Sequence, residues 1–171
     1  MLASVSLPVD LPVRDGVVTV RHAGPHHLDD IMRLLSDDPI SAGRGDAGDP
    51  ADRGLYGRAL ARIIDKPANE IVVAVDSDER VVGTLQLTVI PGMARRGSTR
   101  VLVEAVRVAS DERSRGIGAA MMRWVTESAA PAVGAGLVQL TSDAARVDAH
   151  RFYLRLGFTD SHIGFKYGIP D

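Results

Sequence analysis

Apolar residues along the chain follow two periods, and these periods predict strands and helices. Alternating runs rich in β-branched residues predict the strands, and clusters of glycine, proline and aspartate separate them. Apolar residues spaced three and four apart predict the helices. In chain order we predict a strand over 17–21, helices over 27–35 and 53–65, strands over 71–75, 81–90 and 99–108, a helix over 116–128, a strand over 137–141, a helix over 144–156 and a strand over 163–167.

This order of elements predicts an α/β fold with a mixed, mostly antiparallel central sheet flanked by helices. The polar turn from Asp76 to Arg80 fits an antiparallel hairpin between two of the strands. Pro131 should end or kink the third helix, because proline lacks the amide proton that the helical ladder needs. Asp143 is a candidate cap for the last helix, and Gly157 a candidate left-handed stop.

The two least regular stretches lie in the amino-terminal half. We expect residues 1–15 to be a flexible arm and residues 16–171 to be one domain. Pro8 and Pro12 stand among valine and leucine, which suits an extended segment on a surface. The stretch from Ser36 to Asp52 is rich in glycine, aspartate and proline, and we predict that it is the most mobile part of the chain.

Composition excludes several classes of protein. The chain has 171 residues, of which 45% are apolar, and its 20 basic and 22 acidic residues give a formal charge of −2. This describes one globular domain without the basic excess that nucleic acid or an anionic membrane would require. The absence of cysteine excludes disulfides, thiolate metal sites and a cysteine nucleophile. No secretory or membrane-spanning segment is evident, so we expect a cytoplasmic protein.

One stretch combines the features of an anion site. From Val106 to Gly118 a predicted strand runs through a short loop directly into a helix. The first amides of a helix point outward and its dipole favours negative charge, while Gly116 and Gly118 allow a phosphate to approach the backbone. Arg113 and Arg115 add positive charge there. Neither the nucleotide P-loop nor the dinucleotide motif is present, and on their own the glycines could equally serve turn geometry.

Two motifs resemble the GNAT superfamily of N-acetyltransferases. Arg113-Ser-Arg-Gly-Ile-Gly118 is similar to the family's Gln/Arg-x-x-Gly-x-Gly/Ala pattern, and Ala149 to Phe158 is similar to the end of its last helix. The resemblance implies the acyl-CoA N-acyltransferase fold, with acetyl-CoA as co-substrate and no metal. It further implies that this donor is held by the following residues: Val106, Arg107, Val108, Arg113, Ser114, Arg115, Gly116, Ile117, Gly118 and Ala119. One departure is Arg146, where members of the family often have asparagine.

The resemblance implies the catalytic acid, and the residues themselves suggest the base and the oxyanion site. Tyr153 occupies the position of the family's general acid, and the alternative is that it only packs within its helix. Glu104 is our candidate base, acting directly or through a water molecule. Regular alternation would place it on the same face as Val106 and Val108, and the alternative is an ordinary solvent-facing glutamate. A backbone amide of Val106 or Val108 would hold the oxyanion.

Clues to the acceptor are fewer. By resemblance, the acceptor site lies between residues 28 and 64, and we expect a primary amine of a small molecule or peptide there. Aspartates collect in this region, where they would either attract a cationic amine or simply form loops. His22 and His26 lie on either side of Gly24-Pro25 and do not indicate a metal site, while His150 either tunes Tyr153 or serves the surface. We leave a homodimer open, and the alternative function is a non-catalytic acyl-CoA-binding or regulatory module.

Overall fold

The structure, a computed structural model, describes residues 2, 5–43 and 45–169. Within these residues a single curved sheet has six strands in the order of the chain. Every neighbouring pair is antiparallel except the last, which is parallel. This confirms the mixed, mostly antiparallel sheet. The strands are β1 Val9–Val13, β2 Gly16–His22, β3 Asn69–Val75, β4 Val81–Ile90, β5 Arg100–Val108 and β6 Leu137–Leu140.

Helices cover both faces of this sheet. The four main helices are α1 Leu28–Ser36, α2 Arg53–Ile64, α3 Ile117–Trp124 and α4 Val147–Arg155. Helix α3 continues as a π-helical turn over Val125–Ala129 and ends at Ala130–Ala132, so Pro131 ends it as predicted. Shorter helical turns are Pro25–His27, Pro39–Ala42, Pro50–Asp52 and Ser110–Glu112. None of the helices in the described part of the chain combines the length and the apolar composition needed to cross a bilayer.

The sheet separates two apolar cores, because successive side chains of a strand point to opposite faces. On one face Val72 and Leu85 pack with Met121 of α3, and we call this side the first core. On the other face Val73 packs with Leu34 of α1 and Leu60 of α2, and we call this side the second core. The near-continuous apolar sequence of β3 follows from this arrangement, since both of its faces are covered.

The expected flexible arm over 1–15 is wrong for its second half. Val9–Val13 forms β1 and pairs with β2 through a turn at residues 14 and 15, and Leu11 is buried. Pro12 fits because β1 is an edge strand, where the missing amide donor costs no sheet hydrogen bond. Residues 1, 3 and 4 of the expected arm lie outside the described residues.

The carboxyl-terminal strand expected over 163–167 does not form. Residues 158–169 have no regular secondary structure, and the side chains of Ile163, Phe165 and Tyr167 are 83%, 92% and 86% exposed. Alternation alone predicted the strand, but a strand needs a neighbour for its amides and carbonyls. The described chain offers this segment no such neighbour.

The last helix also begins later than expected, at Val147 rather than at residue 144. Asp143 does not cap it. Instead its Oδ1 accepts from the Ala145 amide (2.8 Å) and closes a separate turn before the helix. The predicted stop is confirmed, because Gly157 takes a positive φ of 88°.

Candidate functional site

The loop between β5 and α3 presents backbone amides at the start of a helix. Gly116 is the residue before the helix and takes a left-handed φ of 85°. The first helical hydrogen bond joins the Ala120 amide to the Gly116 carbonyl (2.9 Å). The amides of Ile117, Gly118 and Ala119 therefore precede the helical ladder, and they point out of the helix start together with its dipole. This is the geometry of an anion site.

The two glycines of this loop serve different purposes. A side chain at Gly116 would meet no atom within 4 Å, so what requires glycine is its positive φ. At Gly118 the φ is ordinary, but a Cβ would lie 3.4 Å from Val108 Cγ2 and 3.5 Å from Phe152 Cζ. Gly118 thus lies where α3 packs against both β5 and α4, and a Cβ there would make ordinary van der Waals contact with the two side chains.

The two arginines of the motif connect the loop to neighbouring segments. Arg113 donates from Nη2 to the Asp37 carbonyl (3.1 Å), just beyond α1. Arg115 pairs with Glu112 and donates to the Asp15 carbonyl (3.2 Å) in the β1–β2 turn. The carboxylate of Glu112 offsets the charge of Arg115, and both arginines hold the loop in place.

The sheet opens beside this loop. Pairing between β5 and β6 ends at Val103↔Leu140, whereas β5 continues along β4 as far as Val108↔Gly83. The last residues of β5, including Val106, therefore have an edge that β6 does not cover. The backbone groups of this edge are therefore not engaged in pairing with β6 and lie on the strand that leads into the loop before α3.

A bulge in β5 corrects our placement of Glu104. Thr84 pairs with Arg107 and Gln86 with Glu104, so Leu85 alone faces two residues, Ala105 and Val106. Ala105 accordingly takes a positive φ of 50°. The extra residue shifts the alternation by one position. The expectation that Glu104 shares a face with Val106 and Val108 is wrong.

The faces are confirmed by packing. Val103 lies in the first core before the bulge, and Val106 and Val108 pack against the same core after it. Glu104 therefore points to the other side of the sheet, where the second core and helices α1 and α2 lie. Its side chain is exposed there, next to Gln86 on the neighbouring strand.

Tyr153 lies on α4 against the first core. Its ring makes edge contacts with Phe152 and Phe158, with centroid distances of 5.0 and 5.8 Å. Burial raises the pKa of Tyr153, and the positive charges of Arg107 and Arg146 oppose that rise. The phenol is therefore protonated at neutral pH and lies beside two cations that would stabilise its anion.

These two arginines were not identified as a pair from the sequence. Arg146 bonds through Nη2 to Asp38 Oδ2 (2.5 Å), which ties α4 to the loop after α1. Arg107 donates to the Val106 carbonyl (2.8 Å), and burial together with the charge of Arg146 lowers its pKa. Arg146, which stands where members of the family often have asparagine, thus forms an ion pair with Asp38. Arg146 and Asp38 are far apart in the sequence, and only the tertiary structure brings them together.

His150 bonds through Nε2 to the Asp143 carbonyl (2.8 Å), so its ring is engaged at the start of α4. The histidines in the first part of the chain have similar local roles. His27 Nδ1 accepts from the Gly24 amide (2.9 Å), and His22 pairs with Glu70 (2.9 Å). Among the described residues, no group of three or more side chains is arranged to hold a metal ion.

The aspartates of the expected acceptor region form contacts within the protein. Asp37 accepts from the Ser110 amide (2.6 Å), and Asp49 accepts from the Ala51 amide (2.8 Å). Asp46 accepts from Tyr56 Oη (2.6 Å), and this bond, with burial, raises the pKa of Tyr56 to about 12. These contacts favour the loop-forming interpretation over attraction of a cationic amine.

A cavity of about 170 Å³ lies between the sheet and helices α1 and α2. Aliphatic side chains line most of it, among them Ile31, Leu60 and Ile71. Gln86 and the bulge residue Ala105 complete its wall on the sheet side. The cavity therefore lies on the same face of the sheet as Glu104.

Comparison with known proteins agrees with this arrangement. The model of the acetyltransferase (GNAT) family matches residues 28–158, which include both sequence motifs. The chain therefore belongs to the GNAT acetyltransferase family.

Three known proteins illustrate how far this similarity extends in sequence and in fold. A transcriptional regulator of Bacillus halodurans C-125 has a TM-score of 0.83 and 38% identity, covering 89% of this chain and 99% of its own. Glucosamine-6-phosphate N-acetyltransferase of Arabidopsis thaliana, at 15% identity and a TM-score of 0.71 over 90% of this chain and 99% of its own, shares the fold. The aminoalkylphosphonate N-acetyltransferase of Salmonella typhimurium strain LT2 is 42% identical over 57 residues, which are 33% of this chain and 36% of that relative's length.

Proposed function

We propose that the protein transfers the acetyl group of acetyl-CoA to a primary amine of a small molecule or peptide, by direct attack within a ternary complex. The observation that carries this proposal is that the helix start at Gly116, the uncovered end of β5 and the helix of Tyr153 border the same core. Val106, Val108 and Tyr153 all pack against the first core, and Gly118 lies beside Val108 and Phe152. An anion site, a free strand edge and a protonated acid are the groups that a thioester of coenzyme A requires.

The residues of these elements fit the donor. The outward amides at Ile117, Gly118 and Ala119 suit a pyrophosphate, and the left-handed Gly116 leaves the space before them open. The uncovered backbone at Val106 and Val108 suits the amides of a pantetheine arm. When bound, acetyl-CoA supplies an activated acetyl thioester.

The chain supplies the groups that the transfer needs. Glu104, directly or through a water molecule, accepts the proton of the ammonium so that a neutral amine attacks the carbonyl carbon. A backbone amide at Val106 or Val108 stabilises the oxyanion. Tyr153 then donates its proton to the departing thiolate, and the nearby positive charges of Arg107 and Arg146 stabilise the phenolate that remains. The amine gains the acetyl group as the carbon–sulfur bond breaks, and the proton that the acylated nitrogen then loses passes to the Tyr153 phenolate, directly or through water, which leaves a neutral amide and free coenzyme A.

Direct transfer is favoured over a covalent acetyl-enzyme. The chain contains no cysteine, so a thiolate carrier is excluded. Neither sequence motif includes a serine with an adjacent histidine base.

The most direct test is an assay of free coenzyme A released from acetyl-CoA across a panel of amines. We expect amine-dependent release, and we expect Tyr153→Phe to lower kcat by about 10²-fold or more while donor affinity changes little. Calorimetry of acetyl-CoA binding to both proteins measures that affinity. Equal rates for the two proteins would contradict the acid role of Tyr153.

A non-catalytic acyl-CoA-binding or regulatory module is the second candidate. The Bacillus halodurans relative, at 38% identity, is described as a transcriptional regulator, and this description supports a regulatory function. The two functions differ in one respect, because a regulatory module binds acetyl-CoA but releases no coenzyme A with any amine. Absence of both binding and release would contradict both candidates.

A further inference from the structure

The cavity beneath α1 and α2 has the properties of a binding site for an apolar group. Nine of the twelve residues that line it are aliphatic. They come from helices α1 and α2 and from strands β3, β4 and β5, so the walls are parts of the second core and its neighbours rather than of a surface loop. A ligand group in this cavity would thus lie between helices and strands of the domain.

The hydroxyl groups in the lining are already used within the protein. Thr84 Oγ1 donates to the Val72 carbonyl (2.9 Å), and Tyr56 Oη donates to Asp46 (2.6 Å). Neither hydroxyl keeps a proton to donate to a ligand. Besides these two hydroxyl groups, Gln86 is the one polar side chain in the lining. A ligand group with a charge or several polar atoms would therefore lose its hydration in this cavity without full replacement.

The cavity is also adjacent to the proposed base. Gln86 lines the cavity, and Glu104 pairs with Gln86 on the neighbouring strand. Side chains of such a pair lie about 5 Å apart at their Cβ atoms and point to the same face of the sheet. The bulge residue between Glu104 and Val106 is itself part of the wall. An amine attached to a group in the cavity would therefore lie near Glu104.

We propose that the acceptor is a primary amine carrying a compact, uncharged apolar group, such as a phenyl or branched alkyl group, which occupies this cavity. The volume of about 170 Å³ fits such a group, because a dry cavity of about 150 Å³ lined by similar side chains accommodates a benzene molecule. Polyamines, amino sugars and aminoalkylphosphonates do not fit, since each would bring charge or hydroxyl groups into an apolar space. The proposal rests on the proposed acetyl transfer and specifies its acceptor.

Matched amines and matched variants test the proposal. Phenethylamine and isoamylamine represent the apolar class, and ethanolamine and aminoethylphosphonate represent the polar one. Ala59 lines the cavity, so Ala59→Phe should fill it, whereas Ala61→Phe makes the same change at an exposed position of the same helix. We expect kcat/KM for the apolar amines to exceed that for ethanolamine by about 100-fold or more. Ala59→Phe should remove most of that advantage, and Ala61→Phe should leave it unchanged.

A binding measurement separates failure of this inference from failure of the proposed function. Calorimetry of phenethylamine with the full chain, in the absence of acetyl-CoA, should show binding that Ala59→Phe weakens about tenfold or more and Ala61→Phe does not. Such binding without any acetylation would support the cavity and contradict the acetyl transfer. Acetylation with preference for ethanolamine or aminoethylphosphonate, or an equal effect of the two variants, would overturn the apolar acceptor. Absence of both binding and acetylation would overturn it as well.

Discussion

Ala105 determines which residues share a face with its neighbour Glu104. Val103 lies in the first core, so Glu104 faces the side of α1 and α2, and without the bulge alternation would turn Val106 and Val108 to that side as well. Because Ala105 takes a positive φ, Val106 and Val108 instead return to the first core. A sequence pattern cannot show this, since alanine carries no preference for a left-handed conformation.

Replacing Glu104 by glutamine tests its role as a base. We expect kcat/KM at neutral pH to fall by about 10²-fold or more and to recover partly as pH rises, because amines lose their own proton at high pH. The measurement is a pH–rate profile of coenzyme A release. Glu127→Gln, the same change at an exposed site on the helical segment after α3, is the control. An unchanged profile for Glu104→Gln would assign deprotonation to water.

The bond between Tyr56 and Asp46 predicts a pH-dependent contribution to stability. The pKa of Tyr56 is raised to about 12 in the folded protein, so folding favours the protonated phenol. The contribution is complete below the ordinary tyrosine pKa of about 10 and is lost as pH rises towards 12. We expect Tyr56→Phe to lower the unfolding free energy by about 1 kcal/mol at neutral pH, with the difference shrinking above pH 10.

Denaturant unfolding at several pH values measures this difference. Tyr167→Phe is the control, because that side chain is 86% exposed and its removal should have no effect. A Tyr56→Phe difference that stays constant through pH 11 would contradict the assignment.

At the scale of elements, the loop before α3 owes its course to two residues with a left-handed backbone. Gly116 and Ser114 both have positive φ, and this turn directs the amides of the helix start towards the uncovered edge of β5. The ion pair between Arg146 and Asp38 likewise positions α4, which carries Tyr153, against the loop after α1. The two loops and α4 are therefore held together around one opening.

Gly116→Ala should weaken acetyl-CoA binding by about tenfold, because alanine at this φ costs about 1–2 kcal/mol and the turn will relax away from its conformation. Gly134→Ala provides a matched control, since Gly134 has a similar φ of 67° and equally open surroundings but follows the end of α3. We expect both variants to unfold at lower temperature, and calorimetry to show loss of donor binding only for Gly116→Ala. Equal affinities would contradict a role of the loop in donor binding.

At the scale of the whole molecule, stability comes from the two cores and not from the carboxyl-terminal residues. Leu85 is completely buried in the first core, whereas Phe165 is 92% exposed. We expect Leu85→Ala to lower the unfolding free energy by about 2–5 kcal/mol and Phe165→Ser to change it by less than about 0.5 kcal/mol. Denaturant unfolding of both variants measures this. A large loss for Phe165→Ser would show that the terminal segment packs against the domain in solution.

The sequence by itself determined the class of fold and the family, through its two motifs. Periodicity located every main helix and five of the six strands, because burial on one face imposes its spacing on the chain. The pattern before Gly116 indicated an anion site, because glycines, arginines and a helix start act locally. These are short-range effects that neighbouring residues specify.

The tertiary structure decided the features that depend on distant partners. Val9–Val13 becomes a strand because β2 offers it an edge, whereas 163–167 has the same alternation but pairs with no strand in the described part of the chain. The face of Glu104 follows from pairing with β4, and the partner of Arg146 is 108 residues away along the chain. Strand pairing, strand register and the Arg146–Asp38 ion pair all join residues that are distant in the sequence. The apolar cavity likewise forms where two helices meet the sheet.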